Sequence, residues 1–428
     1  MLTPRILFLT EAYPITPDGF GGGSAVVYSR LELLAHSGAE VHLVLLFTPA
    51  NRSDFEAFLD TQADTWARVT EWLASYHKFE LHSAVQRMDR APLHNAMKLL
   101  REPLPTLFPM VNEHNLDRLR AIVSQVRPDI IWAEHYLAAW LAVEARLDIP
   151  VIYGHHDWEW KLIPLRNHCR DSNPGLNLKS LIRQSLRRFQ RKRLDETLVK
   201  RVMAVASVSA SEAQDAKRLG AHNVIYLPPA YPPAELSQIP EKADGPRIVH
   251  LGQMRTTATR VGLGDFLERG WPELVRTLEQ IPEFWVIGRL DGATPQMLSA
   301  LQRIGAKCPG FVEDLSTVLR PYDIHIVPWS HNTGVRTRIP LALNYGQALV
   351  AMRTTAACLD ELRDGENCLL VSDFGEMAQA IRRLLHDDAL RRRIADEGRK
   401  TFLACFTREG LQPRFDRFLR QFLVKAGQ

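Results

Sequence analysis

RILFLTEAYPITPDGFGGGSAVVYSRLELLAHSGAEVHLVLLF, which spans Arg5–Phe47, decides the fold class of this 428-residue chain. Its largely apolar ends, Arg5–Thr10 and Val41–Phe47, suit strands that are buried on both faces of a sheet. A turn-rich stretch with three glycines follows the first strand, and Ala25–His36 then has helical spacing after Ser24, a favourable N-cap residue. Strand, loop, helix and strand in this order predict a parallel, right-handed βαβ unit.

The alternation of strands and helices continues through both halves of the chain. Residues 51–118 carry helical patterns without a convincing strand and predict a helical insertion. The remaining predicted strands are Asp129–Ala133, Pro150–Tyr153, Val202–Val208, Val224–Leu227, Arg247–Leu251, Glu283–Ile287, Asp323–Val327, Ala348–Met352 and Cys368–Val371. This pattern predicts an α/β chain with two doubly wound, Rossmann-like domains that face each other across a cleft.

The proline-rich segment Pro228–Gly245 breaks the periodicity and predicts the linker between the two domains. We therefore predict an N-terminal domain over residues 1–228 and a C-terminal domain over residues 229–405. Residues 406–428 contain a last predicted helix, Glu409–Val424, which we expect to pack back on the first domain.

The composition excludes several classes of protein. With 53 basic and 49 acidic side chains the net charge is +4, which is too balanced for a protein that coats nucleic acid. Five scattered cysteines without a CxxC pair fit neither a zinc site nor a disulfide framework, and they favour a reducing compartment. Since no signal peptide or membrane span is recognisable, we expect a cytoplasmic protein that is soluble or peripheral at the inner face of the membrane.

The predicted helix Leu178–Lys200 is rich in arginine and has two interpretations. Its basic residues form a solvated face, or they attract the helix to anionic lipid, where each basic residue contributes about 1 kcal/mol. The solvated face is the simpler interpretation.

Polar residues follow several predicted strands at the edge where open α/β sheets bind ligands. In the first half these residues are Glu11, Glu134, His135, His155, His156 and Asp157. They could be metal ligands, general bases, sugar-binding groups or packing residues. A metal ion would need three or four ligands in fixed geometry, so we predict no metal site and assign a sugar-binding or acid–base role to His135 and Asp157.

Two loops are candidates for a phosphate site. Gly21–Gly23 lack the dinucleotide-binding spacing, and they form either a flexible turn or a loop whose backbone approaches a ligand closely. In the second half, Arg336 and Arg338 lead into a helix with Pro340 in its first turn, an arrangement suited to an anion such as a diphosphate. The alternative is two exposed arginines on a surface loop.

Ordered segments of the chain resemble nucleotide-sugar-dependent glycosyltransferases of the GT-B fold, in the large retaining family four, and especially bacterial transferases of polysaccharide assembly. The second half carries IVHLGQMRTTATRVGLGDFLERGWPEL, VIGRL, PGFVEDLSTVLRPYDIHIVPW, NTGVRTRIPLALNYGQALVAM and DGENCLLVSD, and looser matches in the first half are GGGSAVVYSRLELLAHSGAEVHLV and VASVSASEAQDAKRLG. The resemblance implies transfer of a hexose from a nucleotide diphosphate donor to the hydroxyl of a glycan, lipid-linked or other acceptor. It also implies retained configuration, no metal ion and no further cofactor.

The resemblance also implies which residues bind the donor. The residues expected near the donor phosphates and the acceptor are Gly22, Gly23, Gly252, Arg255, Arg260, Arg289, Thr333, Gly334, Arg336 and Arg338. His135 is expected to contact the transferred sugar, as a first-domain histidine does in many relatives.

One position departs from the family signature. In the family signature a glutamate binds the ribose hydroxyls, and this sequence has Leu341 at that position. The side chain of leucine cannot accept hydrogen bonds. Loss of a charged acceptor costs about 1.5–3 kcal/mol of binding free energy. Glu361 in the next loop is the predicted substitute. The alternatives are a changed use of the donor and a chain that no longer catalyses, which would be a silent GT-B scaffold. A sugar-nucleotide epimerase built on the same two domains is a further alternative function.

Overall fold

The structure is a computed structural model that describes residues 3–17, 22–83, 108–168, 178–239 and 245–423. Gly21, Cys169 and most of the second half of the 51–118 region lie outside the described residues. The chain divides into two compact units with a boundary between Ala230 and Tyr231. Leu411 and the residues after it belong to the first unit, and Leu165–His168 are grouped with the second.

The first unit is built on a parallel sheet. Its strands, in the spatial order β3-β2-β1-β4-β5-β6-β7, are β1 (Arg5–Glu11), β2 (Glu40–Phe47), β3 (Ser75–Glu80), β4 (Ile130–Glu134), β5 (Val151–His155), β6 (Ala204–Ser207) and β7 (Val224–Tyr226). Ile6 of β1 pairs with Val41 on one side and Ile130 on the other. The central strands are apolar runs because both faces of the sheet are covered.

Helices cover both faces of this sheet. They are α1 (Gly22–His36), α2 (Arg52–Thr61), α3 (Ala63–Glu71), α4 (Glu113–Val126), α5 (Tyr136–Glu144), α6 (Glu159–His168), α7 (Leu178–Arg201), α8 (Ala210–Arg218) and the C-terminal α16 (Arg408–Leu423). Phe415 of α16 is fully buried and its ring lies 5.7 Å from that of Trp132 in β4. The last helix therefore packs on the sheet of the first unit.

Two expectations for the first unit are wrong. The 51–118 region is not purely helical, because Ser75–Glu80 forms the edge strand β3, in which Phe79 is the buried residue. Such an edge strand lacks the continuous apolar run that marks a central strand. Helix α1 begins at Gly22, so Ser24 lies in its first turn, buried, and is not the N-cap.

The second unit contains a second parallel sheet. Its strands, in the order β10-β9-β8-β11-β12-β13, are β8 (Ile248–Leu251), β9 (Phe284–Ile287), β10 (Lys307–Gly310), β11 (Ile324–Val327), β12 (Ala348–Met352) and β13 (Leu369–Val371). Strand β10, whose sequence is KCPG, was not predicted. It is an exposed edge strand, which is where a sheet tolerates proline.

The helices of the second unit are α9 (Thr257–Asp265), α10 (Trp271–Thr277), α11 (Pro295–Arg303), α12 (Arg338–Asn344), α13 (Arg353–Ala356), α14 (Phe374–His386) and α15 (Asp388–Cys405). A π-helical turn at Phe266–Gly270 joins α9 to α10. Where helices and strands alternate in this way, ligand-binding groups gather beyond the carboxyl ends of the strands.

Candidate functional site

Gly252 directly follows β8 and lets the backbone approach two side chains. Its φ is +145°, a conformation that favours glycine. A Cβ here would lie 2.8 Å from Thr259 Oγ1 and 3.4 Å from Arg338 Cζ. The structure thus brings together Gly252 and Arg338, two of the residues predicted to bind the donor.

Arg338 is the first residue of α12 and is buried against β8. Its Nη2 donates to Thr259 Oγ1 at 2.6 Å, and its Nη1 lies 3.5 Å from Nε2 of His250. Burial, followed by the charges of Arg338 and His325, lowers the pKa of His250 well below its usual range. A neutral His250 can accept from the guanidinium at Nε2 while its Nδ1 donates to the Ile326 carbonyl at 3.4 Å.

No carboxylate of the described residues pairs with the guanidinium of Arg338 within 4 Å. Burial and the neighbouring charge of Arg336 lower its pKa to about 9. The buried Arg247 at the start of β8 is different, because its Nε donates to Asp323 Oδ2 at 2.7 Å. A buried charge is costly without a counterion, and no such counterion lies beside Arg338 among the described residues.

Arg336 lies in the loop before α12 and is half-buried. Its Nη2 donates to the carbonyl of Thr333, a buried residue whose Oγ1 accepts from Trp329 Nε1 at 3.3 Å. Gly334 has a φ of +55° in the same loop. These contacts hold the loop beside Arg338. The positive charge of Arg336 is close enough to lower the pKa of Arg338.

Four other predicted donor residues have contacts of their own. Arg255 forms an ion pair with Asp291 and is largely exposed, and Arg260 donates to the Met254 carbonyl at 3.0 Å. Arg289 is exposed, with its guanidinium 5.0 Å from the ring centre of Phe311. Glu361 lies in the loop before β13, where its carbonyl accepts from Asn367 Nδ2 at 2.9 Å.

Leu341, which stands where the family signature has a glutamate, packs against an apolar cluster. The buried members of that cluster are Ile239, Val249, Leu251, Ile287, Leu315, Leu319 and Tyr345. The side chain at this position therefore has an apolar packing role.

A second group of polar side chains lies at the carboxyl end of β4 in the first unit. Glu134 is fully buried and accepts from Trp132 Nε1 at 2.6 Å and from His156 Nε2 at 2.6 Å. Burial would raise its pKa, but the hydrogen bond and charge of His156, together with Arg30, lower it to about 2. Glu134 is thus a buried carboxylate that stays ionised.

His135 is the residue after Glu134 and lies against His156. The two imidazole rings are stacked, with centroids 3.9 Å apart and an interplanar angle of 22°. Burial and the charge of His156 lower the pKa of His135 to about 3, so this ring is neutral. A Cβ on Gly23 of α1 would lie 3.6 Å from His135 Nε2, which places two predicted site residues side by side.

The remaining groups near His135 come from the end of β1. The ring of Tyr13 lies 5.3 Å from that of His135, and its hydroxyl donates to Glu11 Oε2 at 3.0 Å. Burial raises the pKa of Glu11, although the Tyr13 hydrogen bond and the charge of His156 oppose this. Gly22 begins α1 beside Gly23, whereas Asp157 is exposed after β5 and has no side-chain contact with this group in the described part of the chain.

Sequence reasoning missed Thr259 and His250 as partners of Arg338, and Glu134 as the partner of His156. A signal existed for His250, because a histidine interrupts the apolar strand IVHL. Within the ranges that the structure describes, no three His, Cys, Asp or Glu side chains are grouped as a metal site would require. No helix there has both the length and the apolar character to cross a membrane.

Comparison with known proteins places this fold in a class. Residues 21–230 match the family model described as a glycosyl transferase 4-like domain, and residues 245–387 match that of glycosyl transferases group 1. The two matches together cover about four fifths of the chain. Two Rossmann-like units with these matches define a glycosyltransferase of the GT-B fold. The chain belongs to the glycosyltransferases with a 4-like N-terminal domain and a group 1 C-terminal domain.

Individual relatives agree with this class. Over 162 residues the chain is 28% identical to the lipopolysaccharide core biosynthesis glycosyltransferase LpsE of Rhizobium meliloti, an alignment that covers 35% of this chain and 46% of LpsE. The chain thus matches less than half the length of that relative. A sucrose-phosphate synthase from Thermosynechococcus elongatus has a similar fold, with a TM-score of 0.65, 16% identity and coverage of 99% of this chain and 100% of the synthase. HepE of Anabaena, solved with UDP-glucose, has a TM-score of 0.63 and 14% identity, and the coverage is 97% of this chain and 99% of HepE.

Proposed function

We propose that this chain transfers a sugar from a nucleoside diphosphate donor to an acceptor hydroxyl in the synthesis of a polysaccharide or glycoconjugate. The reaction retains the anomeric configuration and uses no metal ion, as the family resemblance implies. The observation that carries the proposal is Arg338, a buried guanidinium without a carboxylate partner among the described residues, at the carboxyl edge of the second sheet.

The chemistry of the leaving group explains why a buried arginine is useful. Negative charge grows on the diphosphate as the glycosidic bond breaks, so a fixed cation stabilises the transition state more than the bound donor. Thr259 and His250 hold the guanidinium of Arg338 in place before the donor binds. Arg336 supplies a second positive charge beside it.

The first unit supplies the groups for the sugar and the acceptor in this proposal. His135, neutral and adjacent to Gly23, can accept or donate a hydrogen bond to a sugar hydroxyl without adding charge. Asp157 is exposed after β5 and stays a candidate for contact with the acceptor. Since Leu341 cannot hold the ribose, Glu361 is the proposed substitute.

UDP-glucose is the donor to test first, because HepE was solved with it and with UDP. We expect thermal shifts with a nucleoside diphosphate, since a ligand at 100 times its Kd stabilises a protein by about 2.7 kcal/mol. Incubation of ¹³C-labelled donors with and without an acceptor oligosaccharide, followed by NMR, then identifies the reaction. A new glycosidic linkage formed only with acceptor supports transfer.

Other outcomes of the same experiment separate the alternatives. An isomerised sugar nucleotide formed without acceptor would show an epimerase. The absence of a thermal shift and of turnover with every donor would favour a silent scaffold and contradict the proposed function.

We also propose that α7 makes peripheral contact with anionic lipid. Residues 178–194 contain seven lysines and arginines and no acidic residue. On the same helix Ile182 is 60% exposed and Phe189 is 54% exposed, spaced i and i+7 on one face. Exposed apolar side chains flanked by basic ones suit a helix that lies at an anionic membrane surface.

Sedimentation with lipid vesicles tests this contact. The protein should bind vesicles that contain phosphatidylglycerol and not vesicles of phosphatidylcholine alone, and the pair Ile182→Ser and Phe189→Ser should reduce binding. Leu403→Ser, on α15, is the matched control because Leu403 is 45% exposed. Equal binding by wild type and the double variant would contradict the contact.

A further inference from the structure

The carboxylate of Glu134 has two hydrogen-bond donors, one for each oxygen. Trp132 Nε1 donates to Oε2 and His156 Nε2 lies by Oε1, both at 2.6 Å. Because an ionised carboxylate only accepts hydrogen bonds, Nε2 of His156 must carry a hydrogen. The carboxylate therefore fixes both the orientation and the protonated nitrogen of the His156 ring.

The space around Glu134 is shaped to hold this carboxylate. Gly154 lies opposite on β5, and a Cβ there would overlap the carboxylate oxygens. The guanidinium of Arg30, fully buried in α1, adds a favourable charge. Any residue larger than glycine at position 154 would displace the carboxylate.

The orientation of His156 sets that of His135 through the stacked rings. The rings are 3.9 Å apart and nearly parallel, so His135 has little freedom to rotate. Its backbone is also fixed, with a φ of +72° and a hydrogen bond of 3.0 Å from its N–H to the Gly154 carbonyl. Its Nδ1 is buried without a hydrogen-bond partner among the described residues, so ring stacking and not a hydrogen bond holds this side chain.

We propose that Glu134 is a positioning residue that fixes the protonated nitrogen of His156 and, through the stacked rings, holds His135 in the orientation that receives the sugar. The inference rests on the proposed function for the role of His135. The fixing of His156 by Glu134 stands independently of it. In many sites a hydrogen bond of this kind fixes the tautomer and the ring orientation of a functional histidine.

The state of the ring nitrogens can be measured without any substrate. Long-range ¹H–¹⁵N spectra of histidine-labelled protein at pH 7, assigned with His135→Gln and His156→Gln, should show a hydrogen on Nε2 of His156. A bare Nε2 on His156 in the wild-type protein would overturn the proposal. This measurement tests whether Glu134 fixes the protonated nitrogen of His156, even if the protein turns over no donor.

Glu134→Gln tests the link to catalysis. An amide has one accepting end, so it cannot accept from both Trp132 and His156. We expect the ring signals of His156 to move and kcat to fall about tenfold or more, with the KM for the donor changed less than about twofold. Unmoved His156 signals, or moved signals with kcat at the wild-type level, would overturn the proposal.

Two further variants control for folding and for charge. Glu40→Gln removes a carboxylate that lies 3.1 Å from His42 in β2 of the same sheet, and should leave the His156 signals and kcat unchanged. If Glu134→Gln does not fold, Trp132→Phe removes one donor to the carboxylate and keeps its charge. It should lower kcat in the same direction by a smaller factor, and an unchanged kcat would count against the proposal.

Discussion

Arg338 and Arg247 are two buried arginines near β8, and only one of them has a carboxylate partner. Arg247 is paired with Asp323, whereas the recorded partners of Arg338 are a hydroxyl and an imidazole. A buried guanidinium that has no carboxylate beside it carries an uncompensated desolvation cost. The difference supports the proposed role of Arg338 in anion binding and predicts that Arg338 reduces the stability of the ligand-free protein.

Arg338→Met should therefore stabilise the ligand-free protein by about 1 kcal/mol or more. The pKa of Arg338 is lowered to about 9, so the folded state disfavours its charged form and the cost is present at all pH values below that. Thr259 keeps a partner in the variant, because Thr256 Oγ1 donates to it at 2.7 Å. Denaturant unfolding at pH 7 measures the change.

Arg247→Met is the matched control for this prediction. It leaves Asp323 buried without its partner, so it should destabilise the protein by about 3–5 kcal/mol. Destabilisation of similar size in both variants would show that Arg338 serves stability like Arg247, and would contradict the prediction.

At the scale of elements, β8 and β9 are each followed directly by a glycine, and the two glycines lie close together. Gly252 N–H donates to the Ile287 carbonyl at 2.9 Å, and Gly288 N–H donates to the Gly310 carbonyl at 2.9 Å. Gly288 has a φ of +130°, and a Cβ there would overlap the Gly252 carbonyl. The backbone of Gly252, and with it the place of Arg338, depends on Gly288.

Gly288→Ala should destabilise the protein by about 1–3 kcal/mol and lower the affinity for a nucleoside diphosphate. Gly305→Ala at the end of α11 is the control, because Gly305 has a φ of +69° but nothing within 4 Å of its would-be Cβ. It should lose stability only. Calorimetry and thermal unfolding of both variants separate the two effects, and unchanged binding by Gly288→Ala would contradict the prediction.

How well the sequence predicted an element depended on how that element is buried. Central strands such as β1 and β12 are continuous apolar runs and were predicted to within about a residue at each end. The edge strands β3 and β10 were missed because most of their side chains are not buried and leave no such run, whereas the edge strands β7 and β13 are more deeply buried and were predicted. Edge position is a property of the assembled sheet and has no local signal.

The same reasoning applies to the site. The position of Arg338 at the start of a helix could be predicted, because the loop that leads into this helix is recognisable in the sequence. Its partner Thr259 is 79 residues away in sequence, and nothing local marks their contact. The contact of Glu134 with His156 likewise depends on β4 pairing with β5, which sequence patterns do not specify in register.

At the scale of the whole molecule, the chain leaves the first unit near Ala230 and returns to it at Leu411. The returning helix α16 buries Leu411, Phe415, Phe418, Leu419 and Phe422. These side chains belong to the same apolar cluster as Phe8 and Trp132. The stability of the first unit therefore depends on α16.

Phe415→Ala should destabilise the first unit by about 3–5 kcal/mol. Hydrogen exchange followed by mass spectrometry should show lost protection in β1 and β4, with β8 and β11 unchanged. Phe402→Ala in α15 is the matched control, because Phe402 is also fully buried but lies in the second unit. This variant should lower protection in β8 and β11 and leave β1 and β4 unchanged. Equal loss of protection in both sheets would contradict this assignment of α16.

The central claim is that Arg338 binds the diphosphate of a sugar nucleotide, and isothermal titration calorimetry with UDP and with uridine tests it most directly. We predict that the wild-type protein binds UDP far more tightly than uridine. Arg338→Met, folded and no less stable, should lose at least about tenfold in affinity for UDP, since a hydrogen bond to a charged group is worth about 1.5–3 kcal/mol. Equal affinity of the variant and the wild type for UDP would contradict the claim.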